Sequence, residues 1–213
     1  MIGDIREITP RQAQEFLLPR HYSGRKANIQ KAFGWYVDGV LKAVCSFGKP
    51  ANNNLCYGIC GREFSSSVYE LNRLCREDDF DQPMSQMVGY CLRKLRPLNW
   101  IIVSYSDTAM GHHGYIYQAC NFIYTGCTKK RTEIYTGEGK HSRHYTQQDH
   151  DCGVRKVRSP KHRYVYFCTN SKEQRNRWLK SLNYSVLPYP KGDNKENYEL
   201  GNYLQPQLVM TRD

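Results

Sequence analysis

The chain has 213 residues and 39% hydrophobic content, enough for one well-buried core. It contains no apolar run near the 18 or so residues that a membrane helix needs, and the opening Met1-Ile2-Gly3-Asp4-Ile5-Arg6-Glu7 lacks the layout of a signal peptide. A formal charge of +11 makes a compact chain repel itself unless a polyanion is its partner, which puts nucleic acid first among partner classes.

Residues 9–18 carry a helix start, Thr9 as N-cap and Pro10 at the first helical position, with Ala13, Phe16 and Leu17 on one face. A polar loop containing His21 and Tyr22 follows. Asp38-Gly39 then separates two β-rich runs, 33–37 and 40–47, and predicts a hairpin. Nine cysteines, odd in number and scattered, read as reduced thiols; Cys56 and Cys60 lack a second close Cys/His pair and read better as buried thiols than as zinc ligands. Alternation over 67–75 predicts a strand with Tyr69, Leu71 and Arg73 on one side and Glu70, Asn72 and Leu74 on the other.

Ser85 reads as the cap of a helix whose apolar positions Met87, Val88, Cys91, Leu92 and Leu95 recur every three or four residues until Pro97 ends it. The segment 100–122 is the most informative. Trp100-Ile101-Ile102-Val103 reads as a strand buried on both faces, and Ser104-Tyr105-Ser106-Asp107 falls at its carboxyl end, where open sheets hold ligands. Gly111 and Gly114 allow a tight turn into a short helix, with strand-like stretches at 122–126, 131–136 and 164–167 beyond it. Strand, helix, strand, helix, strand implies a parallel pair within a mixed α+β sheet flanked by helices.

Between 129 and 163 stand ten basic residues, Lys129, Lys130, Arg131, Lys140, Arg143, Arg155, Lys156, Arg158, Lys161 and Arg163, against the acids Glu133, Glu138, Asp149 and Asp151. Histidines and tyrosines are interleaved with them, as a groove for phosphates and unstacked bases requires. A helix over 173–182 and an extended tail follow. The division this predicts is a main domain over 1–170, with the basic segment inside it, and a C-terminal helix and tail over 171–213.

Arg20-His21-Tyr22-Ser23, Tyr69-Glu70-Leu71-Asn72-Arg73-Leu74, Ser85 at the head of a helix, and Ser104-Tyr105-Ser106-Asp107 with Gly111-His112-His113-Gly114-Tyr115-Ile116-Tyr117-Gln118-Ala119 together resemble the Mom family of phage DNA-modification proteins. The likeness runs from about His21 to Tyr166. It implies the fold of the GNAT acyltransferases, a mixed sheet whose central parallel strands splay around the donor. It also implies a transferase acting on the N6 amine of adenine in double-stranded DNA, forming N6-carbamoylmethyladenine and shielding the DNA from host restriction, in the cytoplasm of a bacterial host.

Carried over by position, the resemblance points to His21, Tyr22, Arg73, Ser85, Asp107 and Tyr117. The exocyclic amine is a weak nucleophile, so a proton acceptor and a group that polarises the donor are both needed. On this basis Asp107 hydrogen-bonds or deprotonates N6, Arg73 forks a carboxylate or phosphate of the donor, and Tyr117 serves as acid or stacking partner. Ser85 and Ser106 bind the donor, while Lys129, Lys130, Arg131, Arg143, Arg155, Lys156 and Arg158 hold DNA phosphates around a flipped base.

The segment Asp81-Gln82-Pro83-Met84-Ser85-Gln86 lacks the glycines of an acyl-CoA pyrophosphate loop, so acyl-CoA and other activated donors both stay open. His21, Tyr22, Asp107, His112 and His113 could form an iron or zinc set. A CoA-dependent N-acyltransferase on a small amine or protein is the alternative enzyme, and a non-catalytic DNA-binding protein the alternative outside catalysis. A dimer is compatible with all three.

Overall fold

Asp38 and Gly39 stand at φ of 50° and 78°, the left-handed backbone that a two-residue hairpin needs, and join β2 (Lys31–Val37) to β3 (Val40–Gly48). The computed structural model that shows this describes residues 3–136, 146–151, 153–192 and 207–210. Before the hairpin, β1 (Asp4–Ile8) pairs antiparallel with β2. The charged residues of β1 suit an edge strand, although they hide its pattern. Helix α1 (Pro10–Arg20) opens with the expected Thr9 cap, elaborated into a capping box with Gln12.

Helix α2 (Asn53–Cys60), which the sequence does not announce, is capped by the Asn52 side chain. It turns the Cys56 and Cys60 spacing into one buried helix face, so these are core thiols, and all eight described cysteines are free. β4 (Val68–Arg76) then completes an antiparallel meander with β3.

α3 (Met84–Leu95) crosses over to β5 (Trp100–Asp107), which lies parallel to β4. Pro83, in extended conformation, is the N-cap of α3 rather than Ser85; burying Met84 in the core draws the helix start two residues earlier. The short helix α4 (Tyr115–Ala119) leads to β6 (Ile123–Cys127). Next come β7 (Arg131–Ile134), α5 (Gln147–Asp151), β8 (Val154–Arg158), β9 (Lys161–Cys168), α6 (Lys172–Lys180) and β10 (Leu208–Met210).

The main sheet has the order β1-β2-β3-β4-β5-β9-β6, with β4 and β5 as its parallel pair, and a second sheet has the order β10-β8-β7. The late strand β9 inserts between β5 and β6, and its register with β5 runs unbroken from Trp100↔Cys168 to Asp107↔Lys161.

Helices cover both faces. On one, α3 buries Met87, Val88, Cys91, Leu92 and Leu95 against Phe33, Phe47, Leu71 and Ile102. On the other, α1 packs on Ala32, Val44 and Cys75, while α2 and Trp178 of α6 pack on Ile101, Val103, Val165 and Phe167. The alternation of Ile101, Ile102 and Val103 between these clusters confirms the two-sided burial expected of β5. Trp178 is 1% exposed, so α6 shares the core of the residues before 171.

Two local departures from regular pairing set the geometry at the centre of the sheet. The register of β3 with β4 jumps from Ser46↔Arg73 to Phe47↔Leu71, which leaves Asn72 as the extra residue of a β-bulge. The bulge swaps faces: Leu71 and Leu74 both pack toward α3, while Cys75 joins the α1 side. Arg73 therefore stands on the face of Cys75 and Glu70, and the expected grouping of Tyr69, Leu71 and Arg73 is corrected. The parallel pairing of β4 with β5 covers only Val68↔Ile101 to Glu70↔Val103, and the strands then part.

Gly114, at φ 77°, ends the loop before α4, and a Cβ there would lie 2.5 Å from the Tyr164 ring. Gly114→Ala combines left-handed strain with that clash against a fully buried side chain, so a stability loss of about 2 kcal/mol or more is expected. Chemical denaturation of the variant beside wild type checks it.

Candidate active site

The opening between β4 and β5 begins where their pairing stops. The Ser104 hydroxyl, fully buried, donates across the gap to the Leu71 carbonyl at 3.1 Å. Tyr117, in the first turn of α4, lies below this point with its hydroxyl against Ser104 and its ring 5.4 Å from those of Phe122 and Tyr164. Burial raises its hydroxyl to about 12, so at neutral pH it stays protonated and forms the floor of the cleft.

One wall comes from β4 and the loop after α1. The bulge residue Asn72 receives the Ser46 hydroxyl at 2.7 Å and donates to the Asn28 carbonyl at 2.7 Å, which ties that loop to the sheet. Arg73 donates to the carbonyls of Asn72 at 2.6 Å and Arg25 at 3.4 Å, and no carboxylate among the described residues comes within ion-pair range of it. Burial lowers its pKa while Tyr22 and Glu70 oppose the shift.

His21, 8% exposed, caps the end of α1 and stacks on Tyr22 with ring centroids 4.4 Å apart. The Ser23 amide donates to its Nδ1 at 3.2 Å, which assigns the ring proton to Nε2. Burial, then the charges of Arg73 and Lys161, lower His21 to about 3, so the imidazole is neutral.

The other wall is the end of β5. Asp107, 6% exposed, accepts from the Ala109 amide at 3.0 Å, the Ser159 hydroxyl at 2.5 Å and Lys161 Nζ at 2.5 Å. Burial alone would raise its carboxyl, but the hydrogen bonds from Lys161 and Ser159 outweigh it and hold the group below the ordinary carboxylate range. Both oxygens are engaged, so Asp107 positions the Lys161 ammonium and is poorly placed to take a proton from substrate. Ser106 donates to the His112 carbonyl at 2.8 Å and so anchors the glycine loop.

The structure thus brings His21, Tyr22 and Arg73 to one wall, Asp107 to the other and Tyr117 to the floor. Sequence reasoning misses two further members. Lys161 reads from sequence only as part of the basic segment, because it lies 54 positions from Asp107 and the β5–β9 pairing is not evident. Glu70 stands opposite Tyr69 and Leu71 as alternation expects, but alternation sets Arg73 on the far side from it, and the bulge that brings the two to one face cannot be seen without the neighbouring register. Ser85, at the second position of α3, lies beside Cys120, whose thiol donates to its carbonyl at 3.4 Å.

Among the described residues no three His, Cys, Asp or Glu side chains come together to hold a metal ion, and the predicted iron or zinc set does not assemble. Asp107, its carboxylate partner, is spent on Lys161 and Ser159.

Of the predicted DNA contacts, Lys129, Lys130 and Arg131 are exposed where β6 passes into the small sheet. Arg158 forms a double hydrogen bond with Glu133 at 2.8 and 2.9 Å, and Arg155 holds Thr132 at 2.8 Å, so these two brace the sheet. Lys156 is paired across from Glu133, and Arg143 lies outside the described residues. The small sheet adjoins the cleft directly. Ser159, which follows β8, is the residue bonded to Asp107, and the Pro160 carbonyl accepts from the Thr108 hydroxyl at 2.8 Å.

The chain is thus a mixed seven-stranded sheet with helices on both faces, whose parallel pair parts beside a neutral imidazole, two cations and a carboxylate. The chain belongs to the Mom protein family, whose sequence model matches residues 4–191. It is 27% identical over 194 residues to the methylcarbamoylase Mom of Escherichia phage Mu, spanning 84% of this chain and 80% of that protein. Similar solved structures include an N-acetyltransferase from Staphylococcus aureus Mu50, with TM-score 0.49 and 10% identity, covering 78% of this chain and 99% of that one. Another is a Bacillus subtilis acetyltransferase in complex with CoA, with TM-score 0.46 and 12% identity, covering 78% of this chain and 98% of that one.

Proposed function

We propose that this protein modifies phage DNA in the cytoplasm of the bacterial host, placing a carbamoylmethyl group or a related adduct on N6 of adenine and so shielding the DNA from restriction. The observation that carries this reading is the junction of the cleft with the basic sheet: Ser159, which follows β8 of that sheet, and Lys161, which opens β9 of the main sheet, hold the carboxylate that terminates β5. Family membership and the name of the phage Mu relative support it.

In this reading double-stranded DNA lies across Lys129, Lys130 and Arg131 and their neighbours, and adenine leaves the stack to enter between the strands. Arg73, which makes no ion pair with a carboxylate among the described residues, forks the anionic part of an activated donor. The neutral His21 offers an Nε2–H donor and Lys161, whose charge acts on His21, supplies positive potential. Ser106 acts on the donor through the loop it anchors. Ser85, in the first turn of α3, remains the place for a further anionic group, whether the donor is acyl-CoA or another activated carrier.

Mass spectrometry of nucleosides from a plasmid propagated with and without this chain tests the reading. A new mass on deoxyadenosine is expected. Unmodified DNA together with tight acetyl-CoA binding would support the CoA-dependent N-acyltransferase on a small amine or protein.

Lys129→Ala with Lys130→Ala separates binding from chemistry. These side chains are exposed and outside the cleft, so the double variant weakens duplex binding and flattens the slope of log K against log salt by about 2. Gel shifts across a salt series check it; an unchanged slope would place the phosphate contacts elsewhere.

A further inference from the structure

Glu70 is the last residue of β4 to pair with β5, opposite Val103, and the opening between the strands starts immediately beyond it. Glu70 is half-buried, and its carboxylate makes no hydrogen bond or ion pair among the described residues. Asp107, the other carboxylate of the cleft, is the opposite case, with three partners.

The groups around Glu70 come from four elements. Arg73 lies on its own strand, on the same face because of the bulge at Asn72, and Lys161 reaches it from β9. Tyr105 of β5 and Tyr117 of α4 are both held protonated, first by burial and in part by its negative charge. Burial raises the Glu70 carboxyl above the ordinary range, with Arg73 and Lys161 opposing. A carboxylate without a hydrogen-bonded partner among the described residues, held at higher basicity where the two strands part, is placed to accept a proton.

We infer that Glu70 is the proton acceptor of the transfer. The inference rests on the proposed adenine chemistry. As N6 forms its bond to the electrophilic carbon of an alkylating donor, the bond from that carbon to its leaving group breaks and the leaving group departs with the electron pair. The proton shed by N6 passes to the Glu70 carboxylate. Arg73 and Lys161 flank the site and balance the negative charge of the departing group.

The test compares wild type, Glu70→Gln and Glu70→Asp in the full-length chain, reading the initial rate at which modified deoxyadenosine accumulates on a plasmid after induction. Thermal midpoint and duplex affinity are measured on the same purified proteins. Glu70→Gln keeps the shape and removes the base, so the rate falls at least about 10²-fold. Its thermal midpoint stays level or rises, because an unpaired charge is relieved, and duplex affinity is unchanged. Glu70→Asp retains part of the rate.

A Glu70→Gln protein that modifies at the wild-type rate overturns the assignment and leaves the proposed function standing. A loss of rate accompanied by a fall in thermal midpoint also overturns it, since that marks a structural carboxylate. Absence of any adduct with wild type overturns the proposed function and this inference together.

Discussion

Replacing Arg73 with alanine abolishes adduct formation while duplex affinity stays near that of wild type. The guanidinium sits beside the bulge of β4, fixed by the carbonyls of Asn72 and Arg25, feels the charge of Glu70 and Tyr22, and makes no direct ion pair among the described residues. A planar fork held by two backbone contacts is organised for an anionic ligand before the ligand arrives, so its loss removes positioning as well as charge. The rate of deoxyadenosine modification falls at least about 10²-fold. Arg73→Lys fails similarly, because a point charge on a flexible stem does not reproduce the fork. The plasmid assay reads both, with the gel shift as control. A rate within about tenfold of wild type for Arg73→Ala would remove this side chain from the donor site.

Replacing Asp107 with asparagine costs both modification and stability. The change strands the Lys161 ammonium beside a neutral amide and weakens the bond from Ser159, and the loss is on the order of 2 kcal/mol, or a thermal midpoint lower by about 4–8 °C. Because the Asp107 carboxyl is held below its ordinary range in the folded chain, its stabilising contribution is complete above the unfolded carboxylate range. It disappears as pH falls through the lower folded value. The gap in midpoint between wild type and Asp107→Asn therefore narrows toward acid pH. A gap that is constant from neutral to acid pH would show that the stabilisation does not come from the charge of Asp107.

Short-range chemistry made much of the fold legible. The Thr9-Pro10 start, the Asp38-Gly39 turn and the apolar run 100–103 each have one inexpensive backbone solution, and the structure adopts it. The parallel pair followed from element order. What stayed hidden depends on neighbours distant in sequence. The bulge at Asn72 exists only in the register of β3 against β4, and it decides which face Arg73 and Glu70 share. Lys161 meets Asp107 only because β9 inserts beside β5. The start of α3 lies ahead of Ser85 because burial of Met84 outweighs a side-chain cap. The family resemblance singles out His21, Tyr22, Arg73, Asp107 and Tyr117, but the contrast between Asp107, with three hydrogen bonds, and Glu70, with none among the described residues, depends on strand register and is not legible.

The placement of β9 also bears on how the protein is made. On the ribosome, β5 emerges long before the strand that lines its second edge, and β6 has no other partner in its sheet. Until β9 is synthesised, β5 offers a bare edge flanked by apolar side chains, the kind of surface on which nascent chains associate. A product terminated before residue 161 lacks Lys161 as well, so Asp107 loses its cation and incomplete copies of this chain carry no assembled cleft.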